Sequence, residues 1–186
     1  MDTKHRCGWC EKDDLYRAYH DHEWGRPVRD DQKMFEFLIL ETFQAGLSWY
    51  TILAKRENFR KAFDQFDVVK VSQYTETKIQ ELLQDAGIIR NQLKIRAAVS
   101  NAQAYRKVQE EFGSFCDYFW SFTGGNPIDN APQTLKDVPA STPLSDAISK
   151  DLKKRGFKFV GTTVVYAHMQ ATGMVNDHVV GCWTRS

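Results

Sequence analysis

Long apolar runs, glycine and proline are all scarce in this sequence, which has 11 Gly and 5 Pro among 186 residues. No run of about 18 apolar residues occurs, so the sequence predicts no transmembrane helix. An apolar signal-peptide core is also missing near the first residue, and we therefore expect a cytoplasmic, reducing location. The low glycine and proline content excludes collagen-like chains, and 42% hydrophobic residues exclude intrinsic disorder.

An excess of charge of one sign is missing too, because 25 basic and 24 acidic residues leave a formal net charge of +1. This balance excludes a histone-like polycation and an acidic tail protein. It does not exclude nucleic-acid binding, since a local basic patch is sufficient for that. The length favours a single domain that spans residues 1–186.

Strand signals are nearly absent, and the best of them, VVKV at 68–71, is too short to build a sheet. Apolar residues recur instead at helical spacing between capping residues and glycine or proline stops. The sequence therefore predicts an all-α fold. The predicted helices read MFEFLILETFQAG, LSWYTILAKRENFRKAFDQF, KIQELLQDA before Gly87, QLKIRAAVSNAQAYRKVQEEF, FCDYFWSF, LSDAISKDLKK and TTVVYAHMQAT.

Cysteine and histidine are concentrated towards the two ends of the chain. In a reducing compartment, cysteines are metal ligands, reactive thiols or buried small residues more often than disulfides. Two thiolates and two imidazoles make a closed tetrahedral zinc set, which would be structural and would tie the chain ends together. The set that suits this description best is Cys7, His20, His178 and Cys182.

Spacing alone leaves the metal ligands open. Cys7 and Cys10 form a Cys-x2-Cys pair, and three further histidines offer imidazole nitrogens. Cys10 and Cys116 are equally compatible with buried small hydrophobic residues. The further histidines are His5, His22 and His168.

A single acid, Glu41, stands within the predicted helix that is richest in large apolar residues. A carboxylate in such surroundings is costly unless a partner or a ligand uses it. Taken alone, such a residue would more often reach the surface or pair with an arginine. Aromatic residues with polar atoms point instead to a pocket for a flat ligand, including a cationic one. These aromatic residues are Trp9, Tyr16, Tyr19, Trp24 and Trp49.

A basic turn separates the last two predicted helices, and the pattern indicates a helix–hairpin–helix near residues 145–173. The segment KDLKKRGFKFVGTT contains five basic residues and one acid, Asp151. Gly156 and Gly161 permit close backbone approach, and the amides around Gly161 and Thr162 can bind a phosphate. An ordinary helical hairpin with solvated lysines would show the same composition.

Six segments in order resemble those of the Tag family, the DNA-3-methyladenine glycosylases I among the helix–hairpin–helix glycosylases. The resemblance covers nearly the whole chain, from RCGWC to GCW. It implies the glycosylase fold, with a zinc site that joins residues 7–20 to residues 178–182. The segments are YHDHEWG, QAGLSW, ILAKREN, DAGIIRN, LKKRGFKFVGTT and VNDHVVGC.

The resemblance also implies roles for individual residues. Glu41 would be the catalytic residue in the base pocket and would accept hydrogen bonds from the adenine edge, with Tyr16 nearby. Tyr19 and Trp49 would stack on the base, and Trp9 and Trp24 would complete the pocket. Leu47 would fill the gap left in the duplex by the extruded nucleotide. The other residues that would contact DNA are Gly156, Gly161 and Thr162. The implied structural zinc ligands are Cys7, His20, His178 and Cys182, with Cys10 outside the set.

The implied activity is hydrolysis of the N-glycosidic bond of 3-methyladenine in damaged double-stranded DNA, which leaves an abasic site. A catalytic Asp shortly after the hairpin is implied for most of the superfamily, but the nearest candidate, Asp177, lies between zinc-site residues and receives no such role. We expect a monofunctional monomer that releases 3-methyladenine and binds no membrane. Two alternatives are a glycosylase for another damaged base and a non-catalytic, zinc-stabilised DNA-binding module.

Overall fold

The structure is a computed structural model that describes residues 4–185. Ten α-helices account for most of this part of the chain, so the prediction of an all-α fold is confirmed. None of these helices combines the length and the apolar character needed to cross a membrane. In chain order the helices are α1 (Asp14–His22), α2 (Asp31–Gln44), α3 (Trp49–Ala54), α4 (Arg56–Ala62), α5 (Val68–Ser72), α6 (Glu76–Gln84), α7 (Gln92–Phe112), α8 (Phe115–Ser121), α9 (Pro143–Lys154) and α10 (Thr162–Ala171).

Short elements fill the connections between the helices. One-turn 3-10 helices lie at Gly8–Cys10, Asp64–Phe66 and Leu135–Asp137. The only sheet in the described chain pairs β1 (Ile128–Asp129) with β2 (Val175–Asn176) in parallel.

The segment 68–71, which has the best strand signal, forms no strand: it is helical in α5, because the Asp67 carboxylate accepts hydrogen bonds from the amides of Val69 and Lys70 and caps a helix. One local expectation is wrong. Gly87 does not cap α6, which ends at Gln84; its amide instead donates to the Asp85 carboxylate.

Helix α2 is the centre of the molecule. The Asp30 carboxylate caps its first turn by accepting a hydrogen bond from the Lys33 amide at 2.8 Å. Every residue from Met34 to Phe43 is buried, and α3, α7, α8 and α10 all pack against this helix. A helix that is covered on all sides can present a polar side chain only to a cavity or to a partner within the protein.

Helix α7 holds two distant loops with polar side chains on one face. Lys94 Nζ donates hydrogen bonds to the carbonyl oxygens of Phe43 and Ala45 at 2.8 and 2.7 Å, and so caps the C-terminal end of α2. Two helical turns later, the Asn101 carboxamide bonds the amide and the carbonyl of Lys158 at 2.8 and 3.0 Å. Helix α7 therefore fixes both the end of α2 and the turn before α10.

Helices α9 and α10 pack against each other and form the predicted helix–hairpin–helix. Pro143 occupies the first turn of α9, as its restricted φ favours. Within the connecting turn, Gly156 has a φ of 93°, and the Ser149 hydroxyl donates to the Val160 carbonyl at 2.6 Å. The turn is therefore held from α9 through Ser149 and from α7 through Asn101.

Asp31 joins the start of α2 to the start of α8. Its carboxylate accepts hydrogen bonds from Gln109 Nε2 at 2.7 Å and from the amides of Phe115 and Cys116 at 2.9 and 2.8 Å. Burial raises the pKa of this carboxyl, but the three donors outweigh burial and leave the pKa below its ordinary value.

We expect Asp31→Ala to lower the free energy of unfolding by about 2–4 kcal/mol, because it leaves three donors without their acceptor. For a chain of this size that is a fall in Tm of roughly 5–15 °C, measured by calorimetry. The neighbouring variant Asp30→Ala is the control, since it removes a single exposed cap and should cost only about 1 kcal/mol. Equal losses in the two variants would contradict this account of Asp31.

Candidate active site and metal centre

Four buried side chains from the two ends of the chain converge on one point. The ligand atoms of Cys7, His20, His178 and Cys182 all lie within 4.8 Å of one another. Cys182 Sγ is 3.5 Å from His20 Nε2 and 3.5 Å from His178 Nδ1, and Cys7 Sγ is 3.7 Å from His178 Nδ1. In a tetrahedral site with bonds of about 2.0–2.3 Å, ligand atoms lie roughly 3.3–3.8 Å apart. These three distances fit that geometry, so the four side chains could hold a metal ion.

Neighbouring groups fix which nitrogen of each histidine faces the cluster. His20 Nδ1 is 2.8 Å from Asp21 Oδ1, and the Arg6 guanidinium holds that carboxylate at 2.8–3.0 Å. His178 Nε2 donates to the Trp24 carbonyl at 3.0 Å. His20 Nε2 and His178 Nδ1 are thereby left to face the thiols, as metal ligation requires.

The other cysteines and histidines lie outside the cluster. Cys10 Sγ donates to the Cys7 carbonyl at 3.1 Å, and Cys116 is buried in α8. His5 contacts the Gly181 carbonyl, and His22 lines a separate cleft beside Arg56. His168 is buried, and neither of its ring nitrogens has a hydrogen-bond partner within residues 4–185.

The cluster of Cys7, His20, His178 and Cys182 supports one wall of an aromatic cavity. Trp24 lies edge-on to His178, with ring centroids 4.7 Å apart. Trp9 contacts both His20 and Trp24, at centroid distances of 5.3 and 5.0 Å. The two indoles therefore pack between the cluster and the cavity, and their positions depend on the cluster.

The cavity has a volume of about 290 Å³, near the lower end of the range for small-molecule sites. All six residues predicted for the base pocket line it, namely Trp9, Tyr16, Tyr19, Trp24, Glu41 and Trp49. Five further residues that were not predicted also line it: Gln44, Leu135, Val138, Ala167 and Gln170. Helix α2 contributes Glu41 and Gln44, and helix α10 contributes Ala167 and Gln170.

Glu41 is a buried carboxyl with no partner among residues 4–185. Only 3% of it is exposed, and its Oε2 makes no hydrogen bond within the described chain. The alternatives of a surface position and an arginine pair are therefore wrong. Burial raises the pKa of Glu41 to about 8. The Trp49 indole N–H is also buried without a partner in the described residues, so the Glu41 carboxyl and this N–H are both left for a ligand.

The residues predicted to contact DNA lie at the edge of this region. Leu47 is 39% exposed on the loop after α2, and it lines a second cavity of about 200 Å³ with Glu41 and Thr163. At Gly161 an added Cβ would meet no atom within 4 Å, and no side chain caps the first turn of α10. The Thr162 hydroxyl faces α9 and lies 2.7 Å from the Ser145 hydroxyl. Its backbone amide is the group left for a phosphate.

Comparison with known proteins identifies the family. The sequence model of the methyladenine glycosylases matches residues 9–185. The chain belongs to the methyladenine glycosylase family. It is 55% identical to DNA-3-methyladenine glycosylase 1 of Escherichia coli, over 95% of each chain. It is 47% identical to the DNA-3-methyladenine glycosylase of Haemophilus influenzae, over 95% of this chain and 96% of the relative.

Solved structures of glycosylases show the same fold. A 3-methyladenine DNA glycosylase I from Staphylococcus aureus, whose structure addresses 3-methyladenine recognition, superimposes with a TM-score of 0.95 at 36% identity, over 100% of this chain and 98% of that one. A glycosylase I variant in complex with 3-methyladenine has a TM-score of 0.94, 36% identity and 97% coverage of both chains. The predicted glycosylase fold is therefore confirmed.

Several residues that matter for the site of this glycosylase were not predicted from its sequence. Asp21, next to His20, supports a ligand, and an acid beside a histidine is a signal that could have revealed it. Gln170 follows Ala167 by three residues and shares its helix face, but a glutamine in a helix has no distinctive pattern. Lys94 and Asn101 act through distant backbone groups, which no local signal reveals.

Metal content tests the cluster. We expect one metal ion per chain by mass spectrometry, and we expect Cys182→Ala to abolish stoichiometric binding. Loss of the link between the chain ends should lower the free energy of unfolding by on the order of 5 kcal/mol. The control is Cys116→Ala, a buried cysteine outside the cluster, which should keep its metal. Full metal content in Cys182→Ala would rule out this ligand set.

Stability against pH tests the surroundings of Glu41. The folded-state pKa of about 8 exceeds the ordinary value of 4.5. The stabilising contribution of the protonated carboxyl is therefore full below about pH 4.5 and is lost as the pH rises through about 8. Relative to Glu41→Gln, the wild type should lose up to about 1.4 kcal/mol of unfolding free energy per pH unit between these values.

Glu36 provides a matched control on the same helix, because its carboxylate accepts hydrogen bonds from Arg56 and Arg60 at 2.6 and 2.8 Å. Glu36→Gln should destabilise the protein at neutral pH, whereas Glu41→Gln should not. Denaturant unfolding at pH 5 to 9 measures both variants. Parallel pH profiles for the wild type and Glu41→Gln would show that Glu41 is not held in the uncharged form.

Proposed function

We propose that the protein hydrolyses the N-glycosidic bond of 3-methyladenine in alkylated double-stranded DNA and leaves an abasic site. The observation that carries this proposal is the unpartnered Glu41 carboxyl within an aromatic cavity. A base methylated at N3 is cationic while it remains attached to the sugar, so it fits a pocket of aromatic faces and a carboxylate. The relatives, which are DNA-3-methyladenine glycosylases, agree with this substrate.

The methyl group already makes the base a good leaving group, and no general acid is needed. The nucleotide is extruded from the duplex, the base enters the pocket, and water supplies the hydroxyl group that the sugar C1′ gains. The bond electrons neutralise the departing base, and the remaining water proton passes to solvent. In this scheme Glu41 accepts hydrogen bonds from the adenine edge and stabilises the cationic base, for which a carboxylate is better than a carboxamide. Tyr19 and Trp49 stack on the base, with Tyr16, Trp9 and Trp24 around them.

Zinc is the metal that we assign to the cluster, because two thiolates and two imidazoles suit its tetrahedral preference. All four ligand positions come from protein side chains, so the role is structural: the ion holds Trp9 and Trp24 in place for the base. A catalytic zinc site would keep a position for water.

Leu47 fills the gap left in the duplex, and the backbone from Gly156 to Thr162 holds the DNA phosphates. Pocket, hairpin and metal ligands all come from one chain, so we propose that residues 1–186 act as one domain and as a monomer. The setting is the cytoplasm, where DNA is accessible in a bacterial cell and Cys7 and Cys182 stay reduced.

The decisive experiment incubates methylated DNA with the protein and identifies the released purines by chromatography. We expect 3-methyladenine as the product, and we expect Glu41→Gln to lower the rate by about 10²-fold or more, within the range for a lost charged contact in a transition state. Release of a different alkylated purine would favour another lesion. Binding to abasic DNA without release of any base would support a non-catalytic module.

Two variants separate DNA contacts from base recognition. Gly161→Ala adds a methyl group where the protein leaves open space, so it should weaken duplex binding while stability and free-base affinity stay unchanged. Leu47→Ala should raise KM for the duplex about 10-fold, which equals roughly 1.4 kcal/mol. The control is Leu15→Ala, whose leucine is 45% exposed on α1 outside these contacts. Equal effects of Leu47→Ala and Leu15→Ala would contradict the role of Leu47.

A further inference from the structure

Gln170 lies in the wall of the pocket, and the reaction proposed above makes no use of it. It is on α10 and lines the same cavity as Glu41 and Gln44 of α2. Its Nε2 donates a hydrogen bond to Asp177 Oδ2 at 2.9 Å. Its Oε1 has no such partner among residues 4–185. One end of this carboxamide is therefore engaged, and the other is left for a ligand.

Asp177 determines which end of the Gln170 carboxamide faces the cavity. This carboxylate is fully buried, and besides Gln170 it accepts hydrogen bonds from the Tyr166 hydroxyl at 2.6 Å and from Asn130 Nδ2 at 2.7 Å. Three donors are directed at its two oxygens, so Asp177 serves as the acceptor and the amino end of the Gln170 carboxamide faces it. A flipped Gln170 would place two acceptor oxygens together. The network therefore presents Oε1, an acceptor without a proton, to the pocket.

The depth of Gln170 decides which part of a base it meets. Helix α10 starts at the hairpin, and its residues Thr163, Val164 and Ala167 line the second cavity beside Leu47. Gln170 lines only the base pocket, and it is seven residues beyond Thr163, or about 10 Å along the helix. A base that enters from the DNA side therefore meets Gln170 with the edge farthest from its sugar. In a purine, that edge carries the C6 substituent.

We propose that Gln170 is a specificity-determining residue, whose Oε1 accepts a hydrogen bond from the exocyclic amino group of an adenine-type base. Asp177 is the positioning residue that keeps this oxygen directed into the pocket. A 6-oxo purine presents a carbonyl oxygen to the same atom, and this contact between two acceptors rejects it. The inference rests on the proposed binding of 3-methyladenine and adds the group that separates it from 6-oxo bases.

The test compares two free bases, 3-methyladenine and 3-methylhypoxanthine, which differ in the C6 substituent (amino group or carbonyl oxygen) and in the proton that the 6-oxo base has on N1. Binding is followed through the fluorescence of the pocket tryptophans. We expect the wild type to prefer 3-methyladenine. Gln170→Met keeps the length of the side chain but removes the acceptor, so its affinity for 3-methyladenine should fall about 10-fold. Its affinity for 3-methylhypoxanthine should not fall and should rise, because the variant no longer opposes one acceptor with another. Equal losses for both bases, or no loss for either, would overturn the proposal.

Asp177→Asn tests the positioning role. An asparagine can face Gln170 with either end, so the Gln170 amide can then turn its amino group to the pocket. We expect the affinity ratio of 3-methyladenine to 3-methylhypoxanthine to fall towards unity in a folded variant. A purely structural role of Asp177 would leave this ratio unchanged. An unchanged preference would exclude Asp177 as the positioning residue. If Asp177→Asn does not fold, Gln170→Met alone decides the recognition role.

Two controls separate this proposal from the proposed function. Gln80→Met changes an exposed glutamine on α6 and should leave both affinities unchanged. A wild-type protein that neither binds 3-methyladenine nor releases it from DNA would defeat both proposals. Release of 3-methyladenine by the wild type, together with an unchanged preference in Gln170→Met, would defeat only the role of Gln170.

Discussion

The convergence of Cys7, His20, His178 and Cys182 is the constraint on which the pocket depends. His20 and Cys182 are 162 residues apart in the chain and their ligand atoms lie 3.5 Å apart. In a chain-entropy model, closing a loop of this length is worth on the order of 5 kcal/mol. Trp9 and Trp24 pack against these ligands on one side and line the cavity on the other. The cluster and the cavity therefore share one wall, and the proposed metal binding and base recognition would depend on the same two indoles.

Helix α2, which contributes Glu41 to the cavity, shows that a residue placed for function can lower the stability of the fold. Glu36 and Glu41 lie on the same buried helix, but Glu36 is paired with two arginines and Glu41 with none. The fold can tolerate an unpaired carboxyl because protonation removes its charge. A cationic ligand reverses this preference and favours the carboxylate. Under the proposed function, the cost of burying Glu41 in the free protein would thus be the source of its selectivity for a cationic base.

Periodicity predicted the longer helices, because most of them have a cap or a glycine stop in the local sequence. It missed α1 and α5 and joined α3 and α4 into one helix; at α5 the Asp67 cap outweighs the preference of valine for strands. It also missed β1 and β2, since a two-residue pairing between segments 47 residues apart has no local signal: Ile128 pairs with Val175.

The candidate site was predictable to the extent that its residues break a pattern. Glu41 stands out because an acid interrupts an apolar helix, whereas Gln170 resembles any solvent-facing glutamine. The cysteines and histidines suggested a metal, but spacing could not choose among them, because the choice depends on how the two chain ends meet in space. Lys94 and Asn101 stayed hidden for the same reason, since their partners are backbone groups of remote loops.

The order of the metal ligands along the chain also governs when the pocket can form during protein synthesis. The ribosome makes residues 7–20 early, but the cluster stays incomplete until residue 182 has emerged. Helix α10, which bears Gln170 and follows the DNA-binding hairpin, is also synthesised late. A nascent chain therefore has neither a finished aromatic wall nor the hairpin for most of its synthesis. Unfinished copies cannot extrude bases from DNA, so activity begins only when translation of these segments is complete.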